Sequence, residues 1–320
     1  MIIDAFAHIL PKSFMQILSA QYPTEQLREL AADPNISDLE NRVRMLDKFK
    51  IDKQVLTLAR PSIWLNMPAE ILLPMTRAAN DTLAAVARQF PDRFIAIGTL
   101  PTLTEEFLPE FDRCLAELGM PGIQIFTNIE GKPLDDPAYR SFFAKAHSTR
   151  TPLWLHPQLR PEWPQEYLLD KIFYWPVDTT LAQSRLVFSG IMADYPDLRI
   201  ITHHMGGMIA HFFARIKGCY EIRDSFPQAK FVTLPKDIAE YFRMFYADTV
   251  LNGSRNAFAC GYEFYGADRI VFASDYPYGP ENGERWLKET LSQVRKARLT
   301  QAKKAQILGG NLQRLLDKEC

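Results

Sequence analysis

The chain alternates short, continuous apolar runs with longer segments in which apolar residues recur every three or four positions. Continuous apolar runs are typical of parallel strands buried on both faces, whereas the wider spacing is typical of amphipathic helices. The pattern predicts strands at residues 1–3, 54–58, 94–99, 122–125, 152–155, 198–202, 244–247 and 270–273.

The segments between these strands predict a helix after each of them. In residues 38–49, for example, Leu39, Val43, Leu46 and Phe49 form one apolar stripe behind a Ser37 or Asp38 cap. The same spacing predicts helices at residues 68–90, 105–118, 137–148, 180–193, 208–220, 255–265 and 283–294, and two short ones at 300–307 and 310–316.

Strands that alternate with helices predict a parallel sheet, and eight such repeats predict a closed (β/α)8 TIM barrel of the α/β class. We expect one domain over residues 1–320. An open, doubly wound sheet is less favoured because no glycine-rich turn follows the first strand. Residues 11–33 and 158–179 exceed minimal loops after strand ends, so we expect insertions that cover a site at the C-terminal face.

Composition excludes several classes of function. The 320 residues carry a net charge of −1 without a basic stripe, so we expect no nucleic-acid partner. We expect no membrane span and no signal peptide, because no apolar stretch is long enough and the N-terminus lacks a basic segment. Four scattered cysteines are typical of a reduced, cytoplasmic protein. We expect a homo-oligomer, most simply a dimer.

Four histidines and one aspartate stand at the predicted C-terminal ends of strands, where barrel enzymes carry their active sites: His8, His156, His203, His204 and Asp275. Neutral imidazole and carboxylate together are ligands for a divalent ion such as zinc. Each histidine alone could instead serve as a structural hydrogen-bonding residue. Because adjacent strand residues face opposite ways, we expect only His204 to point inwards, and we expect His203 either to pack behind it or to support a ligand from outside the site.

The ordered motifs D-A-F-A-H (4–8), W-L-H-P (154–157), T-H-H-M-G-G (202–207) and A-S-D-Y-P (273–277) resemble the amidohydrolase superfamily. The resemblance is strongest to its amidohydrolase 2 branch, around aminocarboxymuconate-semialdehyde decarboxylase and γ-resorcylate decarboxylase. Residues 122–137 are also typical of that branch. The resemblance implies His8, His156 and Asp275 as metal ligands, and His204 with Asp275 as the catalytic acid and base.

Phe6 departs from the family pattern, because it stands where the first histidine of His-x-His is expected. A benzyl side chain cannot coordinate a metal, although three protein ligands suffice in many catalytic zinc sites. We therefore expect a divalent metal, zinc before manganese, whose occupancy is weak or absent.

The resemblance implies non-oxidative decarboxylation of a small aromatic or conjugated carboxylic acid. Such an acid needs a cation for its carboxylate and aromatic or apolar walls for its ring. The candidate contacts on strand-end loops are Phe6, Arg60, Trp64, Asn128, Arg160, Trp163, Trp175 and Tyr278. Two alternatives stay open. One is a hydrolase or hydratase of a lactone, amide or enol acid that needs little or no metal, and the other is a non-catalytic barrel that binds an aromatic acid.

Overall fold

The structure is a computed structural model that describes residues 1–21, 23, 25, 27–28, 33–59, 67–160, 163–164 and 166–317. Two of the expected substrate contacts, Arg60 and Trp64, lie outside the described residues. Within the described part of the chain, no helix is long and apolar enough to cross a membrane.

Parallel strands form the centre of the molecule. They are β1 (Ile3–Ile9), β2 (Lys53–Leu58), β3 (Phe94–Ala96), β4 (Gly98–Thr99), β5 (Ile123–Phe126), β8 (Pro152–His156), β9 (Arg199–Thr202), β10 (Tyr246–Asp248) and β11 (Ile270–Val271), and a small antiparallel pair consists of β6 (Asn128–Ile129) and β7 (Lys132–Pro133). The strands pair in the order β1-β2-β3 and β11-β10-β9-β8-β5-β4. Each strand therefore lies beside its neighbour in the chain, as in a barrel.

Backbone hydrogen bonds join the two sheets into a closed ring. On one side, the Ala5 amide donates to the Phe272 carbonyl at 2.7 Å, and the Asp275 amide donates to the Phe6 carbonyl at 3.1 Å. On the other side, β3 and β4 are separated only by Ile97, whose amide donates to the Leu56 carbonyl at 3.4 Å. The prediction of a (β/α)8 barrel is confirmed.

Helices surround the strands. They are α1 (Lys12–Gln21), α2 (Leu39–Phe49), α3 (Ala69–Gln89), α4 (Leu108–Ala116), α5 (Arg140–Ser148), α6 (Trp175–Phe188), α7 (Ile191–Asp194), α8 (Ile209–Glu221), α9 (Ile238–Phe242), α10 (Arg255–Tyr265), α11 (Glu284–Lys296), α12 (Gln301–Ala305) and α13 (Asn311–Leu316). The Asp38 carboxylate caps α2 as predicted, because it accepts a hydrogen bond from the Asn41 amide at 2.9 Å.

The first strand differs most from its prediction, since it spans Ile3–Ile9 rather than residues 1–3. The apolar run in the sequence stops at Asp4, but every residue of β1 is buried. Asp4 remains inside because Gln54 and Ser274 donate hydrogen bonds to its carboxylate. A buried polar residue with partners on other strands cannot be recognised from an apolar run.

Two further boundaries were predicted wrongly. The strand expected over 94–99 is interrupted at Ile97, and the helix expected over 180–193 already begins at Trp175 and is followed by the separate α7. Helix α6 is only weakly amphipathic, so its first turn could not be recognised from the spacing of apolar residues. The described part of residues 11–33, where an insertion is expected, contains helix α1.

The inside of the barrel is filled with apolar side chains, among them Ile3, Phe6, Val55, Ile97, Trp154, Ile201 and Val271. Trp154 is fully buried, and its Nε1 donates to the Ala5 carbonyl at 2.6 Å. The barrel interior is therefore a packed core and not a channel. A substrate can reach polar side chains only at the ends of the strands.

Candidate metal and active site

The C-terminal ends of β1, β8, β9 and β11 bring five polar side chains together: His8, His156, His203, His204 and Asp275, referred to below as the site cluster. Asp275 Oδ1 lies 3.0 Å from His8 Nε2 and 3.2 Å from His203 Nε2. The ring centroids of His8 and His156 are 4.9 Å apart, and those of His203 and His204 are 4.2 Å apart. All five are buried except His204, which is partly exposed.

His203 is the member that links the others. Ligand atoms of His8, His156 and His203 all lie within 4.8 Å of one another, and so do those of His203, His204 and Asp275. The expectation that only His204 points inwards is wrong, because both adjacent histidines lie in the site cluster, whereas the expectation that His203 supports a ligand agrees with its contact to Asp275.

The backbone explains why both histidines reach the site. Strand β9 ends at Thr202, and His204 and Met205 both have a φ of 54°. Asp275 is also left-handed, with a φ of 64°. The alternation of side chains applies only within a strand, so it fails at this turn. Left-handed backbone at non-glycine residues is strained and is often found at functional sites.

Asp248, at the end of β10, is a partner that the sequence reasoning missed. Its Oδ2 is hydrogen-bonded to His203 Nδ1, and its Oδ1 accepts from the Met205 amide at 3.1 Å and the Val250 amide at 3.0 Å. One carboxylate therefore orients the His203 ring and holds the left-handed turn. A signal was present, because Asp248 closes an apolar strand just as Asp275 does.

Phe6 faces the site cluster from β1. Its ring is fully buried and stacks on His203 with a centroid distance of 4.2 Å and an interplanar angle of 25°. The centroids of His8 and His156 lie 5.5 and 5.9 Å from it. A histidine at position 6 would therefore stand among the same side chains.

Burial and the two carboxylates divide the histidines into two charge states. Burial lowers the pKa of His8, that of His156 still further, and that of His204 to about 4, so these rings are neutral near pH 7. Burial also acts against a charged His203, but Asp248 and Asp275 raise its pKa to about 10. Burial works to raise the pKa of Asp275, yet hydrogen bonds with His203 and His8 hold it well below its usual range.

The ligand atoms fit a divalent metal. His8 Nδ1 lies 2.7 Å from Thr57 Oγ1, and His156 Nδ1 lies 2.6 Å from the Pro157 carbonyl, so both rings are fixed at Nδ1. The Nε2 atom of His8 is buried and lies 3.0 Å from Asp275 Oδ1, so the two proposed ligands are already adjacent. Neutral imidazoles held at one nitrogen beside an ionised carboxylate are the ligand set of zinc and related metals.

The expected substrate contacts divide between two places. The Tyr278 ring centroid lies 5.4 Å from that of His8, and the Trp175 centroid lies 6.5 Å from that of His156. Asn128, Arg160 and Trp163 belong instead to a neighbouring cluster. Asp178 accepts hydrogen bonds from Asn128 Nδ2 at 2.7 Å and Arg160 Nε at 2.6 Å, and the Trp163 ring lies 5.7 Å from the Arg160 guanidinium carbon.

The barrel and its strand-end cluster of histidines and aspartate define a class of protein, the amidohydrolases. A family model described as "Amidohydrolase" (Amidohydro_2) matches residues 3–318, and the chain belongs to this family. Phe6 lies within the matched region.

The similar curated proteins include several decarboxylases. The chain is 28% identical over 282 residues to the 2-amino-3-carboxymuconate-6-semialdehyde decarboxylase of Dictyostelium discoideum, covering 87% of this chain and 76% of that protein. It is 27% identical over 272 residues to the γ-resorcylate decarboxylase of a Rhizobium species, covering 78% of this chain and 80% of that protein.

Solved structures share the fold. The 5-carboxyvanillate decarboxylase of Sphingomonas paucimobilis superposes with a TM-score of 0.87 at 24% identity, over 99% of this chain and 98% of that one. A second solved structure is the 5-carboxyvanillate decarboxylase of Novosphingobium aromaticivorans, complexed with manganese and 4-hydroxy-3-methoxy-5-nitrobenzoic acid. It superposes with a TM-score of 0.85 at 23% identity, over 99% of this chain and 96% of that one.

Proposed function

We propose that the protein is an enzyme, a carboxy-lyase that releases CO2 without oxidation from a small aromatic or conjugated carboxylic acid with the help of a divalent metal. One observation carries the proposal. Neutral imidazoles and an ionised carboxylate converge in one buried cluster at the strand ends of an amidohydrolase barrel. The decarboxylases among its relatives support the reaction type.

In this proposal His8, His156 and Asp275 hold the metal. Zinc suits the imidazole ligands, and manganese, which a solved neighbour contains, is the second choice. When bound, such a metal polarises a carboxylate or hydroxyl oxygen as a Lewis acid. Thr57 and the Pro157 carbonyl keep the two imidazoles in their orientation.

His204 and Asp275 are the proposed acid and base. The Nδ1 atom of His204 is buried and has no hydrogen-bond partner among the residues that the structure describes, so it is available to a substrate. We propose that one of the two residues, such as the ionised Asp275, first takes up a proton from the acid or its hydroxyl group and then passes a proton to the carbon that bears the carboxylate. The bond to the carboxylate then breaks, CO2 leaves, and its electron pair restores the conjugated system. Acid–base help of this kind is worth roughly 10²–10⁴ in rate.

Aromatic side chains are the proposed walls of the pocket. Phe6, Trp175 and Tyr278 contact the rings of the site cluster. Asn128 and Arg160 belong to the neighbouring cluster around Asp178, Trp163 lies against Arg160, and Arg60 and Trp64 stay predictions. A homodimer, a cytoplasmic location and a single domain over residues 1–320 are also part of the proposal.

The test is CO2 release from a panel of acids that includes 2,6-dihydroxybenzoate, 5-carboxyvanillate and 4-hydroxybenzoate. Protein is assayed as purified, after chelation, and after zinc or manganese is added back. We expect metal-dependent release of CO2 from at least one acid with a hydroxyl beside the carboxylate. Absence of CO2 from every acid, with both metals, would contradict the proposal.

Phe6 favours a second candidate, a hydrolase or hydratase that works with little metal. Its ring stands among His8, His156 and His203, where it supplies no ligand atom. Turnover of a lactone or enol acid by chelated protein would select this candidate. Binding of an aromatic acid without any turnover would select the non-catalytic barrel.

A further inference from the structure

A second buried polar group adjoins the site cluster. It consists of Thr127, Asn128, Gln158, Arg160 and Asp178 and is called the Asp178 clamp below. The Asp178 side chain is fully buried. It accepts hydrogen bonds from the Thr127 hydroxyl, from Asn128 Nδ2 at 2.7 Å and from Arg160 Nε at 2.6 Å. Three donors from two loops thus converge on one carboxylate.

The clamp fixes the backbone of Gln158 on both sides. The Gln158 amide donates to Thr127 Oγ1 at 2.8 Å, and Asn128 Nδ2 donates to the Gln158 carbonyl at 3.1 Å. The clamp is also joined to the metal-ligand strand, because the Thr127 amide donates to the His156 carbonyl at 3.0 Å. Gln158 therefore stands two residues beyond His156, in a position that two hydrogen bonds to its own backbone determine.

The side chain of this closely held residue is not satisfied. Gln158 is 3% exposed, and its Nε2 has no hydrogen-bond partner among the described residues. A buried amide donor without a partner costs free energy, and such groups need an explanation. A site built to bind a substrate oxygen leaves its donor unpaired until that oxygen arrives.

We propose that Gln158 is a substrate-binding residue whose carboxamide N–H donates to a carboxylate or phenol oxygen of the acid, and that Asp178 is its positioning residue. This rests on the proposed function, since it names a contact of the same site. Asn128, which the sequence predicts as a substrate contact, then has a positioning role instead. Its Nδ2 already donates to Asp178 and to the Gln158 carbonyl.

The experiment compares Gln158→Leu and Gln158→Glu with a matched control. Gln293, on α11, is also buried, at 5% exposure, and both its side-chain polar atoms lack partners in the described part of the chain. Gln293→Leu therefore removes the same kind of unpaired amide from a helix outside the site cluster and the Asp178 clamp. Thermal unfolding, kcat and KM on the best acid of the panel, and calorimetric binding of 2,6-dihydroxybenzoate are measured for all four proteins.

We expect Gln158→Leu to unfold at the wild-type temperature or higher, because replacing an unsatisfied amide with an apolar group costs little. Its KM and the Kd of 2,6-dihydroxybenzoate should rise roughly 10–100-fold, the size of a hydrogen bond to a charged group, while kcat changes less. Gln158→Glu should bind more weakly still, because a carboxylate repels the acid. Gln293→Leu should match wild type in KM and Kd.

Asp178→Asn separates positioning from simple packing. If Asp178 holds Gln158 in place, Asp178→Asn should raise KM more than it lowers kcat, and it should add little in the Gln158→Leu background. Equal KM and Kd in wild type and Gln158→Leu would overturn the proposal, as would a wild-type protein that binds no acid of the panel. Binding of an acid without CO2 release would instead contradict the proposed function. In that case the Gln158 contact would still be tested by comparing the Kd of wild type with that of Gln158→Leu.

Discussion

Two polar clusters lie within the same barrel and share the same strands, yet their hydrogen bonding differs. The first, called the Asp4 network, consists of Asp4, Gln54, Arg42 and Ser274, and the second is the site cluster. Asp4 and His8 both lie on β1, and Ser274 and Asp275 are adjacent in the chain. The comparison separates groups that support the fold from groups that are open to a ligand.

The Asp4 network is closed on itself. The Asp4 carboxylate accepts from the Ser274 amide at 2.9 Å, the Ser274 hydroxyl at 2.5 Å and Gln54 Nε2 at 2.7 Å. Arg42 then donates to Gln54 Oε1 at 2.8 Å and to the His8 carbonyl at 2.5 Å, and its Nε has no partner among the described residues. Because Arg42 donates a hydrogen bond to the His8 carbonyl, the Asp4 network also holds the backbone of a proposed metal ligand.

The site cluster, in contrast, keeps a ligand atom without a partner. His204 Nδ1 is buried and has no hydrogen-bond partner among the described residues, and left-handed backbone occurs at His204 and Asp275. Closed networks gain stability from their hydrogen bonds, whereas open and strained groups persist because the surrounding structure fixes them. We therefore expect substitutions in the two clusters to affect different quantities.

The largest effect is expected for Asp275→Asn. The substitution removes a proposed metal ligand and a proposed acid–base group, so kcat should fall by roughly 10²–10⁴-fold. Circular dichroism and CO2 release on one sample measure fold and activity together. Asp224→Asn, whose carboxylate is 92% exposed, is the control and should leave both unchanged. Near-normal turnover of Asp275→Asn would show that the chemistry lies elsewhere.

Gln54→Leu should show the opposite behaviour. It leaves the buried Asp4 and Arg42 groups without a shared partner, so the free energy of unfolding should fall by about 3 kcal/mol. The kcat of the protein that remains folded should change less than about threefold, since Gln54 touches none of the reacting groups. Denaturant unfolding measures the loss, with Gln293→Leu as the control. If Gln54→Leu were as stable as wild type, the Asp4 network would not be a stabilising part of the fold.

The pH dependence of stability offers a test of the same network. Burial raises the pKa of Asp4 from 3.8 to about 6, against the hydrogen bonds from Ser274 and Gln54. The folded state therefore holds this proton more tightly than the unfolded state does. Binding of this proton stabilises the folded state fully below pH 4, and the stabilisation is lost as the pH rises through 6. The free energy of unfolding should fall by up to about 3 kcal/mol over this range.

Unfolding of wild type and Asp4→Asn in denaturant from pH 4 to 7 measures this effect. The wild-type free energy of unfolding should decline relative to that of the variant over this range. Parallel curves for the two proteins would mean that Asp4 does not titrate with a raised pKa.

The smallest expected effect is a gain at the site cluster. Phe6→His places an imidazole beside His8, so the affinity for zinc or manganese should rise roughly 10–100-fold. Removing a residue that merely orients a metal ligand lowers metal affinity by this factor, and a direct ligand should contribute at least as much. Metal content after dialysis against limiting metal measures it. Phe6→Leu removes the ring without adding a ligand and should show no gain. Full metal occupancy in the natural protein would show that its present ligands suffice.

The local sequence determined the order of elements and the end of the barrel that carries the site. Buried parallel strands must be apolar on both faces, so β2, β5 and β8 could be recognised from their runs alone. Polar residues directly after such runs must emerge at the same edge, and His156 and Asp275 were therefore expected together. Neither inference requires knowledge of a distant residue.

Only the tertiary structure decided the contacts between distant segments. The Asp4 carboxylate and Ser274 are 270 positions apart, and β1 extends through Asp4 because of that partner. Asp248 holds the turn after β9 from a different strand, which is why His203 joins His204 at the site. The Asp178 clamp likewise depends on loops that meet only in the folded barrel. Local periodicity reports which face of an element is apolar, but hydrogen-bond partners across the barrel are fixed by packing.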